Sequence, residues 1–173
     1  GLQAQPKHLT VEQRVALIAA LAKTGVPELE IGSFVSPKAV PQMAGTDKIA
    51  ASLPAADLAY SALVPNMKGY ELAVRAGVRS HAIALAATEE MNQNNIRKSL
   101  EETFVMGEEI LDRAARDGVE IHAYLAVSFE CPYEGPVDES LVLRLVDQLM
   151  AHKPARLMIA DTIGAAHPAA VQS

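Results

Sequence analysis

Short apolar runs alternate with longer amphipathic stretches along this chain, and that alternation decides what it can fold into. Residues 11–23 carry Val15, Leu17, Ile18, Leu21 and Ala22 at helical spacing, with Thr10 placed as a cap and Gly25 as a stop. Residues 29–34 then predict a strand, 46–53 a short helix capped by Thr46, and 58–64 a second strand. A helix over 67–76 stops at Gly77, and 81–87 predicts a strand of small apolar residues buried on both faces. The stretch 99–116 predicts a long helix, with Ser99 and Glu102 at capping-box spacing and Gly118 past its end. Residues 121–127 predict a strand and 138–152 a helix with Leu141, Leu145, Val146 and Leu149 on one face. The last strand is expected over 156–163, and Gly164 and Pro168 lead into another helix start.

Strands that alternate with helices demand a parallel sheet with right-handed crossovers. The strand runs are apolar throughout, as strands covered on both faces should be. Two architectures satisfy this: an open doubly wound sheet, or part of a closed (β/α)8 barrel. A whole barrel takes about 250 residues, so a chain of 173 residues cannot close one.

With half its residues hydrophobic, the chain can bury a core, which excludes disorder as its main state. Cys131 is the lone cysteine, so no disulfide frame exists and a reducing compartment fits. No apolar run reaches the ~20 residues of a membrane span. The opening residues Gly1 to His8 have no long apolar core and do not read as a signal peptide. Acids outnumber bases 21 to 15, the net charge is −6, and Arg97-Lys98 is the densest basic spot. That balance disfavours nucleic acid and anionic membrane as partners.

In parallel α/β folds, sites form at the carboxyl ends of strands. Four segments fall there: Glu30 to Phe34, Val64-Pro65-Asn66, Cys131 to Gly135, and Asp161 to Gly164. Glu30 and Asp161 put charge into otherwise apolar strands, which is costly unless the charge is paired, hydrogen-bonded or bound to a ligand. Plainer readings stand beside this one. Asp161 followed by Thr162 and Gly164 can simply cap a turn, and Asn66 can do the same. Glu30 can pair with a buried arginine for structural reasons. Cys131 reads as an inert buried residue. His8, His81, His122, His152 and His167 lack metal spacing, and Glu89-Glu90 and Glu108-Glu109 read as solvated faces. No Gly-x-Gly-x-x-Gly, Gly-Lys-Ser/Thr or Gly-x-Ser-x-Gly motif is present.

The segment Glu30-Ile31-Gly32-Ser33-Phe34-Val35-Ser36-Pro37-Lys38, with Val40-Pro41-Gln42-Met43 after it, resembles the region after the second strand in the 3-hydroxy-3-methylglutaryl-CoA lyase family. Pro65-Asn66-Met67-Lys68-Gly69, Asn95-Ile96, Cys131-Pro132-Tyr133-Glu134-Gly135 and Asp161-Thr162-Ile163-Gly164 follow in the same order at compatible spacing. The resemblance covers essentially the whole chain.

It implies a (β/α)8 barrel of which residues 1–173 form a single partial domain, about strands 2 to 6. The implied reaction cleaves 3-hydroxy-3-methylglutaryl-CoA to acetyl-CoA and acetoacetate, as in leucine degradation and ketone-body formation. The implied cofactor is a divalent cation, Mg2+ or Mn2+, the substrate an acyl-CoA, and the assembly a homodimer. The compartment would be the cytoplasm of a bacterium or the mitochondrial matrix. By resemblance, the metal ligands fall before Gly1 and after Ser173, with none inside the chain, so the chain alone is expected to be inactive. Glu30 and Asp161 are the implied catalytic-site carboxylates, bracing the metal ligands and an arginine. Gln3, Ser33, Asn95 and Tyr124 are the implied substrate-binding positions. Cys131 does not inherit the family's catalytic cysteine, which sits on a later loop. Ala126-Val127, Met158 and Ala160 replace Ser-Cys, Ser and Gly of the family pattern and make the site more apolar. Two other readings are a Claisen-type enzyme condensing an acyl-CoA with an oxo acid, and a catalytically silent fragment.

Overall fold

The computed structural model describes residues 2–172, with the side chain of Gln3 outside that description. Two compact units divide the chain, Gly1–Ala82 and Ile83–Ser173.

In the first unit, a 3-10 turn at Leu2–Ala4 precedes helix α1, Val11–Ala22. Thr10 and Gln13 close a reciprocal capping box at its start, satisfying two N–H groups the helix cannot. Strand β1, Glu28–Ser33, leads through a 3-10 turn at Pro41–Met43 to α2, Thr46–Ala50. Strand β2 is Ala59–Leu63, helix α3 is Met67–Arg75, and β3, Ser80–Ala86, begins here. The strands run parallel in the order β1-β2-β3. In register, Glu30 stands beside Ser61, and Ser61 beside Ser80. Helices α1 and α2 pack on β1. Ile31, Ile49, Ala62, Val64, Tyr70 and Ala73 form the core.

The β1–β2 register slips between Glu30 and Ser33, at Gly32. Gly32 has φ of 153°, and a Cβ there would lie 2.9 Å from Thr46 Oγ1. Thr46 is not the cap its position suggests: Gly45 holds the N-cap position of α2. The buried Thr46 hydroxyl sits between two carbonyl oxygens, Ser33 O at 3.0 Å and Met43 O at 2.8 Å.

In the second unit the rest of β3 is followed by α4, Glu89–Ile96, and α5, Leu100–Asp117. The Ser99–Glu102 capping box forms as expected, and Gly118 ends α5 with φ of 67°. Strand β4 is Glu120–Ala126. A small antiparallel ribbon follows, β5 at Glu130–Cys131 and β6 at Gly135–Pro136. Helix α6, Glu139–Ala151, is capped by Asp138; β7 is Arg156–Ile159 and α7 is Pro168–Gln172. The order is β3-β4-β7, with β4 and β7 parallel. Leu85, Phe104, Ile110, Leu125, Leu145 and Leu149 are buried at the core. Among the described residues no helix is long and apolar enough to cross a membrane.

The five parallel strands and their intervening helices match the alternation in the sequence. Beside the Thr46 cap and the β5–β6 ribbon, three further details differ. The last strand stops at Ile159 rather than 163, because Asp161 draws the chain into a turn. Helix α4 was not expected, since its polar run Glu89 to Asn95 has no apolar period. In β3, Ala84 is exposed, so the strand is not fully covered.

Gly32→Ala should destabilise the protein by roughly 1–3 kcal/mol in urea unfolding, because the new methyl meets a hydroxyl already bonded to backbone. Gly107→Ala, whose Cβ meets only the Leu85 side-chain tip at 2.6 Å, should cost less. The reverse order would contradict this account of the bulge.

Candidate functional site

Glu30 is on β1 between Leu29 and Ile31. A cavity of about 330 Å³ lies beside it, with Arg14, Ile18, Leu29, Ile31 and Leu63 in its walls. Its side chain keeps solvent access because the cavity is open, yet the walls are mainly apolar. Glu30 is exposed on β1, and partial desolvation by the apolar wall beside it pushes its carboxyl above the ordinary range, with the Glu28 carboxylate adding to that push. The buried arginine in the same wall does not neutralise it through a hydrogen bond. Arg14 donates from Nη1 to Gln42 O at 3.1 Å and from Nη2 to Ala44 O, so its bonds go to loop carbonyls. Burial lowers the Arg14 pKa.

Ser33 ends β1, and its side chain is buried with no hydrogen-bond partner for Oγ. Its backbone oxygen is the one held by Thr46. Asn66 takes the plain role considered for it: its Oδ1 accepts the Gly69 N–H at 2.9 Å and caps α3. His81 is buried, set edge-on to Tyr70 at 5.2 Å, and burial lowers its pKa. The expected Gln3 side chain falls outside the described residues.

In the second unit, the Asp161 carboxylate accepts the Ala165 N–H at 2.9 Å through Oδ1 and the Ala166 N–H at 3.0 Å through Oδ2. This is the turn-capping geometry, with the side chain half-buried. Next to it, Thr162 Oγ1 accepts the Val127 N–H at 2.8 Å. Tyr124 pairs in register with Met158, on one face of β4 and β7, and is 36% exposed. Asn95 is exposed near the end of α4. Cys131 is buried and accepts the Thr88 hydroxyl at 3.1 Å, which fits the inert reading.

Four side chains carry more structure than the sequence suggested. Asn92 is buried and fully used: Nδ2 donates to Ala86 O and Thr88 O, and Oδ1 accepts the Ala86 N–H. Glu89, expected as a solvated face, accepts the Leu100 N–H at 2.6 Å and ties α4 to α5, which lowers its pKa. Glu134 accepts the Glu90 N–H at 2.7 Å. Glu108 likewise accepts from Gln148 at 2.6 Å. For Asn92 and Glu89 the available signal was an Asn inside a polar run and a Glu opening it; Glu134 and Glu108 had no such signal. Among the described residues no group of three His, Cys, Asp or Glu could hold a metal ion.

The chain matches the HMGL-like family over residues 1–173. It belongs to the HMGL-like family. It is 40% identical to hydroxymethylglutaryl-CoA lyase of Pseudomonas mevalonii over 97% of this chain and 56% of that protein. It is 37% identical to (R)-citramalyl-CoA lyase of Chloroflexus aurantiacus over 99% of this chain and 57% of that one. An HMG-CoA lyase from Acenitobacter baumannii, solved with coenzyme A and 3-methylmalate, superposes with a TM-score of 0.94 at 31% identity, covering 99% of this chain and 56% of the other. The chain thus spans between half and two thirds of the length of these relatives. As an HMGL-like chain it takes the parallel strands and alternating helices of part of that barrel, as the resemblance implied.

The shift at Glu30 has a consequence for stability. In the folded HMGL-like chain Glu30 keeps its proton at pH values where the unfolded chain has released it. Its contribution to stability therefore falls as pH rises from the ordinary carboxylate pKa through the raised one. Glu30→Gln should flatten that fall in urea unfolding as pH rises above the ordinary carboxylate pKa. Parallel pH profiles for the variant and the parent would contradict the shift.

Proposed function

We propose that the protein to which this chain belongs is a carbon–carbon lyase that cleaves 3-hydroxy-3-methylglutaryl-CoA to acetyl-CoA and acetoacetate. The observation that carries this reading is the match to the HMGL-like family over residues 1–173, with Glu30 on β1 beside the cavity. The chemistry is a reverse Claisen step. The tertiary hydroxyl gives its proton to a base, and its oxygen becomes a ketone. The bond to the thioester's α-carbon breaks, the pair passes to the thioester enolate, and that carbon takes a proton. Glu30 and Asp161 orient the groups that meet the substrate oxygens. Ser33, Asn95, Tyr124 and Gln3 are proposed to contact the acyl-CoA.

A divalent cation, Mg2+ or Mn2+, is the proposed cofactor, and its role would be to favour the alkoxide. Among the described residues no group of three His, Cys, Asp or Glu offers it a ligand set. The 37% identity to a citramalyl-CoA lyase supports a second reading, in which the acyl group differs but the bond cleavage is the same.

In the whole protein, Glu30→Ala and Asp161→Ala should each lower kcat roughly 10- to 100-fold with the far-ultraviolet circular dichroism unchanged. Near-normal turnover in both variants would reject the assignment. A panel of 3-hydroxyacyl-CoA thioesters, assayed for cleavage and for condensation, separates the lyase from a Claisen-type condensing enzyme. Chelation by EDTA should abolish turnover and Mn2+ should restore it; indifference to EDTA would reject the cofactor.

A further inference from the structure

Three non-glycine residues of the second unit have left-handed backbone, Arg97, Val127 and Lys153, and Val127 is the β-branched one among them. Its φ is 51°, in the left-handed region where a β-branched side chain is a true outlier. Outliers of this kind persist only where their surroundings hold them, and they cluster at functional sites. Val127 is 0% exposed. What holds it is close by. The β4–β7 ladder continues on both sides, with Ala160 N–H donating to Leu125 O at 2.9 Å and Ser128 N–H to Ala160 O at 3.2 Å. Ser128 Oγ also donates to Leu125 O at 2.7 Å. The Val127 N–H instead turns to a side chain, Thr162 Oγ1, at 2.8 Å.

Thr162 directly follows Asp161, whose two carboxylate oxygens take the N–H groups of Ala165 and Ala166. The turn after β7 is thus gripped twice. The carboxylate grips it from inside, and the threonine fastens it to the kinked end of β4. We propose that Thr162 is a positioning residue whose hydroxyl, by accepting the Val127 N–H, fixes the turn that aims the Asp161 carboxylate. The role in turnover rests on the lyase reading above; the mechanical coupling does not.

Thr162→Val keeps the shape and deletes the acceptor, and Thr162→Ser keeps the acceptor. In the whole, cation-loaded protein, Thr162→Val should lower kcat at least 10-fold with KM within twofold, and Thr162→Ser should stay within threefold of the parent. Amide hydrogen exchange read by NMR gives an answer free of activity. Thr162→Val should speed exchange at Val127 and also at Ala165 and Ala166, by tenfold or more. If Val127 loses protection while Ala165 and Ala166 keep theirs, or if kcat of Thr162→Val stays within threefold of an active parent, the proposal is overturned. Should Thr162→Val not fold, the double variant with Val127→Gly carries the same exchange comparison. A parent that cleaves no 3-hydroxyacyl-CoA rejects the lyase reading, and the exchange result then decides the coupling by itself.

Discussion

Parallel strands end with backbone groups that the ladder no longer pairs, and in each unit of this chain a threonine hydroxyl takes one of them. Thr46 sits against the carbonyl of Ser33 where β1 slips its register. Thr162 takes the N–H of Val127 where β4 turns left-handed. Both sites are tight. Gly32 has no room for a side chain beside Thr46, and Val127 has no exposed surface. A buried group left without a partner costs more than the hydrogen bond itself contributes. The strand ends are therefore defined by side chains, and the candidate carboxylates lie within three residues of these ties, Glu30 before Ser33 and Asp161 before Thr162.

The two carboxylates differ in kind. Asp161 has both oxygens engaged with backbone N–H groups, an arrangement that fixes its direction. Glu30 faces apolar walls, and its proton is held more strongly than on an ordinary glutamate. Arg14, the charge in the same wall, is committed to the carbonyls of the loop at 42–44 and so braces that loop. One carboxylate is fixed in direction by the backbone, and the other lies beside apolar walls that favour its protonated form.

Much of the fold could be read from the residues because its elements depend on local rules. The Ser99–Glu102 box, the stop at Gly118 and the apolar strand runs each follow from nearby chemistry. Glu30 and Asp161 stood out because charge in an apolar strand is conspicuous. The misses have a common cause. Helix α4 has only Met91 and Ile96 as apolar residues and is held by Asn92 and Glu89 to backbone beyond its own ends. The Thr46 hydroxyl is bonded to Ser33, thirteen residues earlier. The Thr162–Val127 bond spans thirty-five residues. No spacing rule along the chain reports contacts of that kind. The ribbon at Glu130–Cys131 and Gly135–Pro136 is too short to show a period.

Crystallography of the whole protein with Mn2+ and an unreactive analogue of the acyl-CoA addresses the central claim most directly. The account predicts that the carboxylates of Glu30 and Asp161 each lie within hydrogen-bonding distance of a group that binds the cation or the substrate oxygens. Finding either carboxylate turned away from the bound analogue, with the cation held elsewhere, would contradict it.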